Sequence, residues 1–214
     1  MQLNLQVTTP AAATAVDLEE LKSQLRIDAD EEDYLAQEYL DAVTDQLEAY
    51  LGLSLIQKTY LWVLDGFGVS REPWDDFWYQ ERPSGFYRGE VCLTLPRSPL
   101  VSVSSIQYKN TANTLTTLDS STYQIDTLRV PARIKPAYGE LWPQTGTDFN
   151  AVQVSFIAGY GATSADVPPR IRHAIRMLVG HFEENRTATA AVNIYDVPLG
   201  WKSLVEDYRA KHYA

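Results

Sequence analysis

The sequence contains only one cysteine, Cys92, in 214 residues, and this scarcity excludes a disulfide within the chain. No apolar run approaches the roughly 18 residues that cross a bilayer. Residues 1–16 have neither the positive segment nor the continuous apolar segment of a secretion signal, and we interpret them as an extended arm. These absences predict a protein that is made in a reducing cytoplasm and has no membrane partner.

Basic residues are also scarce. Lys and Arg total 18 against 28 Asp and Glu, so the formal net charge is −10. A protein that grips DNA by its phosphates is normally basic, because its cations must replace the counterions of the backbone. The acidic balance therefore argues against sustained DNA binding, and an acidic surface beside DNA would repel it. A hydrophobic content of 45% still predicts a folded core.

Clusters of catalytic or metal-binding residues are missing from the sequence. His173 and His181 lie eight residues apart on a predicted helix, about 12 Å along its axis, which is too far for one metal ion. Cys92 has no histidine beside it in the sequence, so we interpret it as a small hydrophobic residue rather than a nucleophile. The run Gly159-Tyr160-Gly161 lacks the rest of a nucleotide-binding loop and is interpreted as a turn. We therefore predict no enzyme activity, no metal and no cofactor.

Periodic apolar residues predict three helices. The first, residues 17–27, opens with the capping-box pattern Asp17-Leu18-Glu19-Glu20. The second, residues 30–52, begins among carboxylates and has Gly52 as a C-cap. The third, residues 167–185, has prolines at its start and Asp166 as its cap. The second and third helices carry these apolar stripes: Ala36, Leu40, Val43, Leu47 and Leu51, and Ile171, Ala174, Ile175, Leu178, Val179 and Phe182.

Residues 57–160 are rich in β-branched and aromatic residues between turn signals, and we interpret them as a β-rich insertion. The predicted strands are Thr59–Leu64, Val91–Leu95, Val101–Tyr108, Leu115–Leu118, Tyr123–Asp126, Arg129–Ile134 and Val152–Ile157. Residues 67–87 interrupt them as a long loop with seven aromatic residues. Aromatics dominate protein interfaces, so a protein contact or a small local hydrophobic cluster is favoured for this loop. With Asp75 and Asp76, the loop also leaves open a carbohydrate-binding or hydrolytic module.

The last part of the chain, residues 186–214, is predicted to be a linker followed by a short terminal helix. Residues 187–194 are small and polar, and Pro198 is a suitable helix start. Four apolar residues then share one side of the predicted helix: Trp201, Leu204, Val205 and Tyr208.

Taken in order, these segments resemble the head–tail connector (adaptor, or head-completion) proteins of tailed bacteriophages. The stretches that carry the resemblance are Leu18–Asp28, Ala49–Phe67, Leu93–Lys109, Tyr123–Pro136, Asn150–Arg186 and Val197–Arg209. The closest of them is Asn150–Arg186, which reads as strand, glycine turn and proline-started helix. None of these stretches is a catalytic signature, and the long Trp-rich loop departs from the family's usual pattern.

The resemblance implies an α+β fold, a small helical bundle that carries a β-rich insertion and ends in a C-terminal helix or tail. We expect residues 17–185 to form a single adaptor domain, and residues 186–214 to serve as linker and portal-docking segment. The resemblance also implies a ring of about 12 copies beneath the portal protein, in the neck of the virion. The ring would join the portal to the next neck (stopper) or tail protein, and DNA would pass through its channel without sequence-specific binding.

On this interpretation two groups of residues are expected to contact partners. Trp201, Leu204, Val205 and Tyr208 would dock into the portal, as helices dock into grooves. A neighbouring subunit or the next neck protein would be contacted by six loop residues: Trp74, Phe77, Trp78, Tyr79, Phe86 and Tyr87. Removal of residues 197–214 is expected to abolish portal binding and leave the fold intact. The alternative position for the protein is that of a stopper or tail-side completion protein of the same machine.

Overall fold

The computed structural model describes residues 4–25, 33–67, 92–184 and 200–210. These residues form two compact units. The β unit comprises Met1–Thr8, Thr59–Pro96 and Leu100–Ile157, and the helical unit comprises Thr9–Lys58, Arg97–Pro99 and Ala158–Ala214. The fold is α+β, as predicted, with four described helices and two antiparallel sheets. The predicted division into an arm, one adaptor domain and a tail stays a prediction.

The described helices are α1 (Leu18–Leu25), α2 (Asp33–Leu51), α3 (Pro169–Glu184) and α4 (Gly200–Val205). The described strands are β1 (Leu5–Thr9), β2 (Lys58–Leu64), β3 (Leu93–Thr94), β4 (Leu100–Lys109), β5 (Leu115–Thr117), β6 (Tyr123–Asp126), β7 (Arg133–Pro136) and β8 (Val152–Ala158). Short 3₁₀ turns occur at Ser120–Thr122, Ser164–Asp166 and Glu206–Tyr208.

The β unit is built on two sheets. One has five strands in the order β1-β2-β8-β4-β5, and the other has three in the order β3-β7-β6. The predicted strand Leu115–Leu118 is found as β5, which pairs with β4 and places Tyr108 opposite Thr116. β6 lies where it was predicted and pairs with β7, with Ile125 opposite Ile134, but β7 begins at Arg133 and not at the predicted Arg129, since Pro131 has no N–H for a strand ladder. Residues of β8 alternate between buried and half-buried, so one face of this strand lies in the core of the sheet.

The sequence interpretation missed β1. Residues 5–9 lie within the predicted arm, but they form an edge strand beside β2. The Val63 N–H donates to the carbonyl of Asn4 (2.8 Å), and the Thr8 hydroxyl donates to the carbonyl of Thr59 (3.2 Å). These bonds join segments more than fifty residues apart, so no local pattern could have indicated them.

The core of the helical unit is made of the predicted apolar stripes. All five members of the α2 stripe are buried, and so are the members of the α3 stripe except Phe182, which is half-buried. Val16 and Leu21 from the N-terminal part of the unit complete this core. Full burial of a large apolar side chain contributes about 1.5–3 kcal/mol, so the stripes dominate the stability of the unit.

The predicted helix ends agree with the structure in two places and fail in one. Asp17 caps α1, since its Oδ1 accepts the Glu19 N–H (2.9 Å). Gly52 follows α2 with φ +68°, a left-handed conformation that suits glycine. Asp166 was the predicted cap of α3, and this is wrong: its carboxylate accepts the Thr163 N–H (3.0 Å) and hydroxyl (2.8 Å) instead, closing the 3₁₀ turn. The carboxylate is held by this turn, so α3 begins later, at Pro169.

The Gly159–Gly161 run is a bend that leads out of β8, in agreement with its interpretation as a turn. Gly159 has φ +144°, and a Cβ added there would lie 2.5 Å from the backbone nitrogen of Gln57. Only glycine allows this close approach of the two backbone segments, which lets the Gln57 N–H donate to the carbonyl of Gly161 (2.9 Å).

Candidate partner-binding surfaces

The aromatic loop lies almost wholly outside the described residues. This applies to Trp74, Phe77, Trp78, Tyr79, Phe86 and Tyr87, and to Asp75 and Asp76. The loop's first residue, Phe67, is described and is buried in the β unit, where its ring stacks on Trp142 at a centroid distance of 4.6 Å. Phe67 is therefore a core residue at the point where the loop begins. A partner contact by the rest of the loop stays a prediction.

The C-terminal segment, residues 200–210, packs against its own helical unit. Trp201 is 6% exposed and Val205 is fully buried, while Leu204 and Tyr208 are half-buried against the same core. Trp201 meets Tyr50 edge-on at 5.4 Å between ring centroids. Because these side chains contribute to the core, we expect that removal of residues 197–214 would destabilise the helical unit rather than leave the fold intact.

Charged groups surround the exposed side of this segment. The Tyr50 hydroxyl donates to Glu206 (2.7 Å), and this hydrogen bond raises the pKa of Tyr50. The guanidinium of Arg209 lies 5.0 Å from the centre of the Tyr50 ring, and Arg170 pairs with Asp207 (3.1 Å). The segment therefore presents a mixed charged rim around an apolar anchor.

The β unit exposes several large apolar side chains. Leu128 (97% exposed) and Val130 lie between β6 and β7, and Tyr138 (103% exposed) and Leu141 follow β7. Phe149 precedes β8 and is also exposed. In the helical unit only Tyr34 is comparable among the described residues. Single exposed apolar residues are ordinary, but all of these except Tyr34 lie in one unit.

These exposed residues were missed at the sequence level, although a signal was present. Leu128, Tyr138 and Leu141 are large apolar residues in segments that the turn chemistry marks as loops. An apolar residue in a loop has no sheet face to turn toward the core. Its exposure could therefore have been suspected from position alone.

A cleft of about 410 Å³ lies within the helical unit. One wall is the small-residue run from Pro10 to Ala15, and the other is the exposed side of α2 with Asp41, Thr44 and Asp45. Ile56 closes the cleft together with Glu48 and Lys58. The lining is therefore apolar along the run of small residues and acidic along the helix.

Glu48 and Lys58 form a largely buried ion pair at the end of this cleft. Their Oε2 and Nζ atoms are 2.6 Å apart, and the second carboxylate oxygen accepts the Leu55 N–H (2.8 Å). The backbone carbonyl of Glu48 accepts a hydrogen bond from Arg97 (2.9 Å). This network holds the chain where it leaves α2 for β2. Both oxygens of the Glu48 carboxylate and the Lys58 ammonium have partners, so the arrangement is structural.

The described residues contain no group of three or more histidine, cysteine or acidic side chains that could hold a metal ion. His173 is exposed, and His181 is half-buried with its ring 6.0 Å from that of Phe182. Cys92 is exposed just before β3. Leu93 and Leu95 are buried, and Cys92 falls on the opposite side of the strand. No helix among the described residues is long and apolar enough to cross a membrane.

The fold is similar to that of proteins in solved gene transfer agent (GTA) particles. A chain in the neck of an empty GTA particle, computed with C6 symmetry, superposes with a TM-score of 0.74 at 23% identity, covering 100% of this chain and 98% of the other. A chain from the virion of the native particle gives 0.74 at 22% identity and covers 98% and 97%. A chain in the neck of the native particle, computed with C12 symmetry, gives 0.72 at 22% identity and covers 100% and 98%. At these identities the likeness establishes the fold.

No curated protein matches the sequence significantly. The family model of the phage gp6-like head–tail connector proteins matches residues 15–129, from the start of α1 to the β6–β7 connection. The match covers more than half of the chain, but it ends before Asn150–Arg186, the stretch in which the resemblance was strongest. It includes both α1 and α2, most of the predicted insertion and the loop. On this match the chain belongs to the phage gp6-like head–tail connector protein family.

Proposed function

We propose that the protein is a structural subunit in the neck of a tailed phage or a gene transfer agent particle, where it joins the portal to the next neck or tail protein. The observation that carries this proposal is the fold. Nearly the whole chain superposes on nearly the whole of proteins found in GTA necks, and the family match agrees independently of that superposition. The protein works by geometry, as an adaptor that presents different surfaces to different partners.

The neck subunits form a ring of about 12 copies around the DNA channel. The symmetry of the similar neck structures, C6 and C12, supports a cyclic assembly. The exposed apolar residues of the β unit, including Leu128 and Tyr138, support it too, because a neighbouring subunit or the next neck protein would cover them. The loop residues Trp74 and Trp78 would extend this contact.

The C-terminal segment docks into the portal. Trp201 and Val205 anchor the segment in its own unit, while the half-buried Leu204 and Tyr208 keep part of their apolar surface for the partner. An anchored segment loses less conformational entropy on binding than a free one, and this favours docking. The four residues therefore divide into two anchors and two contact residues.

The channel surface carries carboxylates that repel the DNA phosphates. The net charge of −10 supports this part of the proposal. A surface that repels DNA would let it pass without adhering. A map of the assembled channel with a neutral or basic lining would contradict it.

The test is binding to the purified portal of the same particle. Substitution of Leu204 and Tyr208 by Ser should reduce portal binding, whereas Ser203→Ala, on the exposed side of the same helix, should not. The midpoint of thermal unfolding is measured for both variants to verify that the fold is kept. If the variant with serine at both positions binds the portal as tightly as the wild type, docking through this segment is refuted.

Co-purification distinguishes the adaptor position from the alternative one. An adaptor is recovered with the portal, whereas a stopper or tail-side completion protein is recovered with tail components and not with the portal alone. No observation among the described residues favours a carbohydrate-binding or hydrolytic module. Binding to a glycan array or turnover of a polysaccharide would revive that alternative.

A further inference from the structure

One exposed face of α2 is acidic over the middle of the helix. Glu38, Asp41 and Asp45 are all exposed and are spaced at i, i+3 and i+7, which places them on one side of the helix. We name this set the acidic stripe. Lys58, which also lines the cleft, pairs with Glu48, and among the described residues no lysine or arginine pairs with Asp41 or Asp45.

The C-terminal segment of the same unit lies on the other side of α2. Tyr50 follows Asp41 by nine residues, which at about 100° per residue is half a turn away from it. Arg209 stacks on Tyr50 at 5.0 Å, so this arginine is on the side opposite the acidic stripe. The unit therefore separates its charges across one helix.

The rim of the C-terminal segment carries three cations and two carboxylates, so it has one positive charge in excess. Arg170 is balanced by Asp207 (3.1 Å) and Arg209 by Glu206 (3.5 Å), both in exposed pairs. Lys202 lies over the Trp201 ring at 5.7 Å, and no carboxylate among the described residues pairs with it. Lys202 and Leu204 are two residues apart on α4, so about 200° separates them and Lys202 does not share the side proposed for the portal.

The cleft beside the acidic stripe suits a long basic side chain. Pro10 and the following alanines offer apolar surface to the methylene stem of a lysine or arginine, and Asp41 and Asp45 offer oxygens to its charged end. A volume of about 410 Å³ accommodates one or two such side chains. The shape and the charge therefore agree on a cationic occupant.

We propose that neighbouring copies of this chain meet through these two faces, with the cationic C-terminal rim of one copy against the acidic stripe and cleft of the next. A contact between two different faces is head-to-tail, and such contacts form a ring when the rotation from one copy to the next closes. The inference rests on the proposed ring and adds the surfaces that form it. Each copy uses one face of each kind, so the contact repeats around the ring.

The experiment uses charge reversal on each face. One variant carries Asp41→Lys and Asp45→Lys, and the other carries Lys202→Glu and Arg209→Glu. Self-association of the purified chain is measured by sedimentation velocity at low salt. Each variant alone should associate at least about tenfold more weakly than the wild type, since like charges then face each other. An equimolar mixture of the two should recover association, because every contact in an alternating assembly is again between opposite charges.

A matched control reverses two exposed carboxylates outside the stripe, Glu19→Lys and Glu140→Lys, and should associate like the wild type. Raising the salt from about 0.05 M to about 0.5 M should weaken the wild-type contact, because screening acts on exposed charges. If either variant associates like the wild type, or if the mixture does not recover association, the contact between these two faces is refuted, but the proposed ring is not. A wild-type chain that never associates, alone or with its portal, overturns the ring and this contact together.

Discussion

The buried carboxylate of Glu48 offers the sharpest test of the packing argument. Glu48 is 4% exposed and performs two tasks, since one oxygen pairs with Lys58 and the other accepts the Leu55 N–H. Glu48→Ala removes both. The unpaired Leu55 N–H then costs about 1–3 kcal/mol. The stranded ammonium of Lys58 adds less than the 3–5 kcal/mol typical of a broken buried pair, because its side chain is 20% exposed and water reaches it.

These terms give an expected loss of about 3–4 kcal/mol for Glu48→Ala. Glu48→Gln keeps an oxygen for the Leu55 N–H and loses only the ion pair, so we expect about 1–2 kcal/mol. At about 2–4 °C per kcal/mol for a chain of this size, the alanine variant should melt about 6–16 °C lower than the wild type. The difference between the two variants measures the backbone hydrogen bond together with the packing of the buried part of the Glu48 side chain.

The assay is urea unfolding, followed by both circular dichroism and tryptophan fluorescence so that coincidence of the two transitions is verified. Glu38→Ala, an exposed carboxylate on the same helix, is the matched control and should change stability by less than about 0.5 kcal/mol. An alanine variant within about 1 kcal/mol of the wild type would refute the reasoning. So would a glutamine variant that loses as much as the alanine variant.

Three further outcomes are expected. Gly159→Ala should be poorly folded or more than about 3 kcal/mol less stable, because the added Cβ clashes with the backbone. Gly139 has φ +85° and open space around it, so Gly139→Ala should lose only about 1 kcal/mol of stability. Equal losses in urea unfolding would contradict this difference. The backbone N–H and hydroxyl of Thr163 hold the pKa of Asp166 below its usual value. The stability that this carboxylate adds to the fold is therefore present above the pKa of Asp166 in the unfolded chain. It is lost as the pH falls through the pKa of Asp166 in the folded chain. Thr163→Val should raise the pKa of Asp166, and a carboxyl NMR titration with no change would refute it. Trp201→Ala should lower stability by about 3–5 kcal/mol even without a portal present, and a stable variant would show that the segment is not anchored.

The helices were the part of the fold best predicted from sequence. Leu40 and Leu47 of α2 and Ile171 and Leu178 of α3 are buried as their spacing indicates, because a helix's own geometry fixes which residues share a face. The hairpins were predictable for a similar reason, since polar turn residues and alternation both act over a few positions. The predicted cap of α3 was wrong because the carboxylate of Asp166 accepts hydrogen bonds within a competing local turn.

The candidate sites were less predictable than the fold. The apolar pattern of Trp201 and Val205 is equally consistent with docking into a partner and with packing inside their own unit. In the structure both residues are buried in their own unit. The pattern states that one side of the segment is apolar, but not what covers it. The acidic stripe could have been found from its spacing, yet its significance depends on the cleft and on the cationic rim across the helix.

The sequence by itself determined the acidic net charge, the apolar stripes, the glycine and proline punctuation and the family to which the chain belongs. Each of these depends on composition or on neighbours a few residues away, where backbone geometry alone relates one side chain to the next. Only the tertiary structure decided that residues 5–9 form an edge strand, that Glu48 is buried beside Lys58 and that Leu128 and Tyr138 stand in solvent. Burial and pairing depend on segments distant in the chain, and their positions are fixed only when the whole core packs.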